Sequence, residues 1–420
     1  MASITEEIKL DPLMTNILLM IHRTQRSIRP VEMKNELRAG SRLYPTLDKM
    51  MKSGLIEQTV KKRKLSAYGL TETGKKVAEK LLPNHEDIQD VKEDVEKDED
   101  DFMLVFFDSY FREKYGRPDK NRTVKNALRV RSEVQILAKE FLMRKGFVEI
   151  APVIISPITD PLRYTTYETR IPYCKQTYRL TQSMIFHKQV AICSFEKIFT
   201  FSPNVRLESP DLADTGRHLV EFTQLDLEVR DATRSDMIEL GEQLFIYILT
   251  HVKKNCKEEM EFFRRNPNLK IPKKTGFDQF TYEKQKEKRG SDFPTLLSHE
   301  RDKPFWIIDF PINSREFYDR ENPIKHDLLV DMDLILPEGY GEVLSGGERE
   351  YTYDRLLERL RRSQLRISEY RLYLLIAKRG LKPSAGFGLG LERLVSYICG
   401  LRHIDETTFF PKIPGDIFSL

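Results

Sequence analysis

EKIFTFSPNVRLESPDLADTGRHLVEFTQLDLEV, residues 196–229, decides how the rest of the chain is read. Its two ends are rich in Phe, Val, Leu and Thr, which suit strands, while SPDLADTG between them is turn chemistry. The stretch therefore predicts a hairpin with Arg206 and Glu208 on one strand. Arg217, His218, Glu221 and Phe222 fall near the other. Two arginines and a histidine around a turn, with an aromatic ring shortly after, suit a triphosphate whose base stacks on that ring. A salt-bridged exposed hairpin has the same composition, and on this segment alone that plainer reading is the better one.

The flanks add two further pieces. Upstream, TVKNALRVRSEVQILAKEFLMRKG spaces Ala127, Val130, Val134, Leu137 and Phe141 as one helical face, ends at Gly146, and leads into the strand-like FVEIAPVIISP. Downstream, PSAGFGLGLERLVSYICG (383–400) alternates Gly386, Gly388 and Gly390 before a helix that carries Arg393 in its first turns. Alternating glycines suit a strand that must let another group approach its backbone closely. A dinucleotide-binding reading of the same glycines is poor, because no strand-helix-strand unit surrounds them.

Further out, composition sets the bounds. The chain has 420 residues, 40% of them hydrophobic, with 69 Lys+Arg against 65 Asp+Glu. That length allows two or three domains with a substantial core. No stretch is apolar enough for a membrane span, and the N-terminus lacks a signal pattern. The four cysteines (Cys174, Cys193, Cys256, Cys399) are far apart, which suggests a reducing, cytoplasmic setting and makes zinc or disulfides improbable. The net charge of +4 is uneven. Residues 1–84 carry sixteen Lys/Arg and nine Asp/Glu, whereas EDIQDVKEDVEKDEDD (86–101) carries ten acids and two lysines. Three domain segments follow: a basic domain at 1–84, an acidic linker at 85–101 and a larger domain at 102–420.

In the basic domain, helices are expected at 12–25, 30–38 and 43–54. Two short strands, LIEQTV and AYGLT, flank the turn KKRKLS, and a closing helix follows at ETGKKVAEKLL. This order resembles a winged helix-turn-helix domain. Lys61, Lys62, Arg63 and Lys64 would touch phosphates at a wing tip; alternatively the module only packs or dimerises.

Taken together, the helix-strand ending at Pro152, the hairpin with RHLVEF, and GFGLGLER resemble the three signature motifs of class II aminoacyl-tRNA synthetases. RHLVEF followed by Gln224, Asp226 and Glu228 is similar to the aspartyl/asparaginyl subgroup. SPITDPL, RLTQSMIFHKQ, PFWIIDFP, REFYDRE, DLILPEGYGEVLSGGERE and LKPSAGFGLG resemble the archaeal asparagine synthetases related to asparaginyl-tRNA synthetase. The resemblance implies an α+β fold: an antiparallel sheet flanked by helices, preceded here by the winged helix. It implies ATP as co-substrate, with Arg206 at the α-phosphate and the reacting carboxylate and Glu208 near the adenine amino group or the substrate amine. Arg217 and His218 would meet the outer phosphates, Phe222 the adenine face, and Arg393 the γ-phosphate. Glu342, Ser345 and Asp333 match Mg²⁺ ligands. Arg349 matches a substrate-carboxylate clamp, and Gln182 and Asp226 match amino-acid pocket residues. Lys188 is either a further pocket residue or a solvated helix residue. Trp306 reads as core.

Three functions fit, in this order. The first is asparagine synthesis from aspartate, ATP and free ammonia through an aspartyl-adenylate. The second is an asparaginyl- or aspartyl-tRNA ligase. The third is a DNA-binding regulator that senses an amino acid. A homodimer through the segment ending near Pro152 is implied by the resemblance, nucleic acid is a possible partner through the winged helix, and a membrane is not.

Overall fold

The computed structural model describes residues 12–24, 28, 33, 43–62, 65–81, 118–162 and 166–415. The expected helix at 30–38 lies outside these except for Met33, and the turn at 63–64 and the acidic segment 85–101 lie outside them entirely. The chain divides into two compact units, Met1–Gly116 and Arg117–Leu420. No helix among the described residues is long and apolar enough to cross a membrane.

The first unit has helices at Pro12–Thr24, Leu43–Lys52 and Glu72–Leu81. Strands Ile56–Lys62 and Leu65–Leu70 pair antiparallel, and Ile28 bridges to Tyr68 on the outer side of the ribbon. In the helix expected at 12–25, Ile17, Met20 and Ile21 join Leu43, Leu47, Met50 and Ile56 in one core, to which Met14 and Leu18 also belong, while Leu13 is only partly buried against it.

The second unit is built on an eight-stranded sheet. Its strands are β1 (Val148–Glu149), β2 (Lys197–Val205), β3 (Glu221–Arg230), β4 (Asp278–Thr281), β5 (Phe305–Ile308), β6 (Asp331–Leu336), β7 (Gly341–Glu348) and β8 (Ser384–Gly390). They lie in the order β4-β5-β6-β7-β8-β3-β2-β1. Only the two edge pairs, β4–β5 and β1–β2, are parallel. The long helices are α1 (Pro118–Arg144), α2 (Arg234–Asn255), α3 (Tyr353–Arg362), α4 (Arg371–Gly380) and α5 (Leu391–Cys399).

Helix α1 buries Ala127, Val130, Val134 and Leu137 of the expected face, with Leu142 in place of Phe141, which is only partly buried against the core. Each larger aliphatic contributes about 1.5–3 kcal/mol on transfer from water. Thr233 and Asp236 form a reciprocal cap at the start of α2. Its Leu244, Phe245 and Ile248 pack with α1, α5 and one face of the sheet. Trp306 is fully buried there and its Nε1 donates to Glu242 Oε1 at 2.8 Å, which explains how β5 tolerates the indole and the core tolerates a carboxylate. A second, aromatic core lies beneath α3 and α4, where Phe186, Phe317, Tyr318, Tyr370 and Tyr373 meet Leu356 and Leu360.

The expected hairpin forms with two changes. SPDLADTG closes as a 3-10 turn over Pro210–Thr215, ended by left-handed Gly216 (φ +66°). Arg206 sits between strand segments rather than on one: β2 ends at Val205, and Leu207–Glu208 pairs instead with Thr166–Tyr167. FVEIAPVIISP gives only two-residue strands, Val148–Glu149 and Ile155–Ser156, since Pro152 and Pro157 offer no ladder donors.

Candidate active site

The position of the site follows from the two-residue period of the strands. Leu225 and Leu227 of β3 enter the main core, so Gln224, Asp226 and Glu228 face the other way. On β8, Ala385, Phe387 and Leu389 enter the same core, and Gly386, Gly388 and Gly390 stand opposite Glu228, Asp226 and Gln224. The glycines keep this floor low. A Cβ at Gly386 would collide with the Glu228 carboxylate, and one at Gly388 would lie 3.1 Å from Gln224 Nε2. Ser345 of β7 pairs with Gly388 on one side and with Asp333 of β6 on the other.

Above this floor is a cavity of about 210 Å³, bounded by Lys188, Arg206, Asp226, Glu342, Ser345 and Arg349. Gln182 lines the neighbouring cavity of about 220 Å³, and Asp160 borders both. The two are linked through Arg206, whose Nε donates to the Gln182 carbonyl at 3.0 Å.

The phosphate-binding candidates gather along one edge. Arg217 and Arg393 each donate to the Glu342 carbonyl, at 3.4 and 3.2 Å, and Arg393 also reaches the Glu342 carboxylate at 3.3 Å. Burial, together with the Arg393 charge, lowers the Arg217 pKa to about 10. Two cations held this close favour an incoming anion. Glu208 Oε2 and His218 Nδ1 are hydrogen-bonded at 2.6 Å. The guanidinium of Arg206 lies over the Phe222 ring, 5.1 Å from its centre, so one face of that ring is covered by the protein's own cation.

The amino-acid candidates are held by buried pairs. Lys188 is 2% exposed and its Nζ donates to Asp226 Oδ1 at 2.7 Å. Of its two readings, the solvated helix residue is therefore excluded. Asp226 Oδ2 is buried without a hydrogen-bond partner. Arg349 donates to Glu228 (Nε, 3.2 Å), Asp319 (Nη1, 3.1 Å) and the Gly386 carbonyl (Nη2, 2.9 Å).

Mg²⁺ fits the donor set on chemical grounds. Asp333 Oδ1 is buried and unpartnered, and Asp333 is paired in register with Ser345. With the Glu342 carboxylate these offer the oxygen donors a hard cation prefers. Among the described residues no three His, Cys, Asp or Glu side chains form a ready-made metal cluster, so most of the coordination would fall to phosphate and water. Burial, opposed by Arg315, raises the Asp333 pKa to about 7.

Several residues of this site were not singled out from the sequence. Arg315 donates to Asp331 at 3.1 Å and to Asp333 at 2.5 Å. Tyr318 donates to Asp160 at 2.9 Å, and Glu316 and Asp319 border the same cavity. The available signal was the pair Asp331 and Asp333, which share one face of an otherwise apolar strand and require a cation nearby. Burial and the charges of Asp160 and Asp319 raise the Glu316 pKa to about 8. A carboxyl whose folded pKa exceeds its unfolded one binds more protons when folded, so it costs stability as pH rises through that interval. Glu316→Gln should therefore gain stability over the native chain at pH 8 and lose most of that advantage by pH 5. Urea unfolding at the two pH values checks this.

An antiparallel sheet with an arginine after one strand, a glycine-floored pocket and a second arginine at the head of α5 defines a class II synthetase catalytic domain. The comparisons place it more narrowly. Residues 108–414 match the family model described as tRNA synthetases class II (D, K and N). The asparagine--tRNA ligase of Pyrococcus abyssi is 31% identical over 304 residues, covering 69% of each chain. That of Lactobacillus delbrueckii subsp. bulgaricus is 30% identical over 301 residues, covering 68% of each. The crystal structure of asparaginyl-tRNA synthetase from Pyrococcus horikoshii complexed with asparaginyl-adenylate superimposes with a TM-score of 0.64 at 28% identity. The match covers 71% of this chain and 70% of that one. This chain belongs to the class II tRNA synthetases of the D, K and N group. The family match begins at residue 108, so the winged-helix expectation for the first unit gains nothing from it. The reported relatives are tRNA ligases, which shifts the weight from the first functional expectation, asparagine synthesis, to the second.

Proposed function

We propose that this chain is an asparaginyl-type aminoacyl-tRNA ligase, which joins asparagine or aspartate to ATP as an aminoacyl-adenylate and passes the acyl group to tRNA. One observation carries the reading: Arg206, Glu342 and Ser345 converge on the same cavity whose floor is Asp226 opposite bare Gly388. The substrate carboxylate attacks the α-phosphorus and pyrophosphate leaves. Arg206 would offset the repulsion between the two anions and the charge building on phosphorus. Arg217 and Arg393 would hold the outer phosphates, and Asp226 and Gln182 would orient the amino acid. Arg349 would exchange a protein carboxylate for the substrate's. Mg²⁺, held by Glu342 and Ser345 with Asp333, would supply neutralisation of the triphosphate.

A second reading, amidation of activated aspartate by ammonia, is favoured by Lys188, a buried cation beside Asp226 that suits a substrate carboxylate better than a carboxamide. One reaction separates the two. Purified chain, ATP and labelled asparagine or aspartate are supplied with bulk tRNA or with ammonium. Acid-precipitable acyl-tRNA supports the first reading. Free asparagine formed only with ammonium supports the second.

The same reading makes the chain a cytoplasmic homodimer. Ile136, Met143, Val148, Ile154 and Ile155 are each at least 45% exposed along α1 and the segment after it, an apolar strip suited to a second copy. Ile154→Glu with Ile155→Glu should yield monomers in light scattering, and a native chain that is itself a fully active monomer would refute the dimer. For the first unit, the antiparallel ribbon sharing one core with its described helices is compatible with a winged-helix module, and the basic charge of residues 1–84 is what supports a nucleic-acid partner for it.

A further inference from the structure

We propose that the outward faces of α3 and α4 form a docking surface for the phosphodiester backbone of the RNA whose end enters the active site. The inference rests on the proposed transfer to tRNA. Residues 353–382 carry nine Lys/Arg and three Asp/Glu, a net +6. Residues 102–420 together are +5, so the rest of that segment is close to neutral and this helical pair holds its excess.

Packing turns these charges outward. Leu356 and Leu360 of α3 and Tyr373, Leu374 and Ala377 of α4 are buried in the aromatic core. The opposite stripes therefore present Arg361 and Arg362 on α3, and Arg371, Lys378 and Arg379 on α4, all exposed. Local acids neutralise little of this. Arg362 is 3.8 Å from Asp327 and 4.0 Å from Glu358, and Arg366, 81% exposed, is 4.0 Å from Glu369. Pairs this long and wet contribute almost nothing. A row of solvated cations without matching anions suits a polyanion whose phosphates release counterions on docking.

Position ties this surface to the active-site region. The link between the two helices gives Leu365, Glu369 and Tyr370 to the wall of the cavity that Gln182 lines. That cavity shares Asp160 with the amino-acid site. The exposed cations thus sit on the two helices whose link walls this cavity. A polyanion that inserts one end there would lie along them. Exposed Leu372 and Leu375 lie among the cations, a composition an anionic membrane would also accept, so the test includes one.

The test uses the full chain with Arg361, Arg371, Lys378 and Arg379 all changed to Glu, and a milder variant with the same four changed to Gln. The probe is a fluorescent RNA hairpin ending in single-stranded CCA, titrated by anisotropy at several salt concentrations. Amino-acid-dependent pyrophosphate exchange, which needs no RNA, is measured in parallel. The Glu variant should bind the hairpin at least about tenfold more weakly, with a salt slope shallower by roughly 2–4, and the Gln variant should fall between. Exchange should be unchanged in the Gln variant. Hairpin affinity equal to native in both variants overturns the proposal. So does a native chain that binds phosphatidylserine vesicles but not the hairpin. If the variants lose the hairpin but the native chain never acylates tRNA, the surface stands and the ligase reading falls.

Discussion

Arg206→Ala should lower amino-acid-dependent pyrophosphate exchange by about 10²–10³-fold, the usual effect of deleting one preorganised donor at a developing charge. Its guanidinium lies where the Gln182 carbonyl, the Phe222 ring and the amino-acid cavity meet, so it lies on the approach of one anion to another. The residue is only partly buried and stands in a gap between strand segments, so the loss should come with little change in the unfolding midpoint. Arg206→Lys keeps the charge but not the planar fork, and should recover only a small part of the rate. Exchange kinetics beside urea unfolding of the same preparations separate the two effects. A near-native rate in Arg206→Ala would remove this residue from the chemistry.

The second large effect belongs to Arg349, and here stability and activity should fall together. Its guanidinium is 4% exposed and bridges Glu228 and Asp319, both buried. Glu228 is held further by the Ser384 hydroxyl at 2.8 Å, so it cannot turn away toward water. Arg349→Ala removes the hydrogen-bonding cation shared by two buried carboxylates, leaving Glu228 with the Ser384 hydroxyl and Lys188 at 3.9 Å, a loss of about 3–5 kcal/mol. Arg349→Met should be no better, since a matched apolar volume does nothing for the carboxylates left behind. Arg349→Met combined with Glu228→Gln and Asp319→Asn should recover most of the stability without activity. Chemical unfolding of the single and triple variants, with exchange assays, tests this. A fully stable Arg349→Ala would mean that the pair contributes nothing.

Part of this site is legible in the sequence and part is not. The alternation Gly386, Gly388, Gly390 was readable as a strand approached closely, and the structure identifies the approaching groups as Glu228, Asp226 and Gln224. Arg393 fell in the first turn of its helix, and Trp306 in the core, because local period and apolarity determine both. The link from Arg349 to Glu228 and Asp319 was not readable, nor that from Arg315 to Asp331 and Asp333. Such pairs join side chains across 16 to 121 residues of sequence, and local pattern carries no information about which buried charge faces which. The strand-forming neighbours of Arg206 predict a strand position for it. The switch of Leu207–Glu208 to pair with Thr166–Tyr167 is a tertiary choice that displaces it.

The most direct test of the central claim is ATP–pyrophosphate exchange by the purified full chain with Mg²⁺, run with asparagine and with aspartate and without tRNA. The site described here predicts exchange that depends on one of these two amino acids and is lost in Arg206→Ala. No exchange with either amino acid, from a folded chain that binds ATP, would contradict the assignment of this cavity to amino-acid activation.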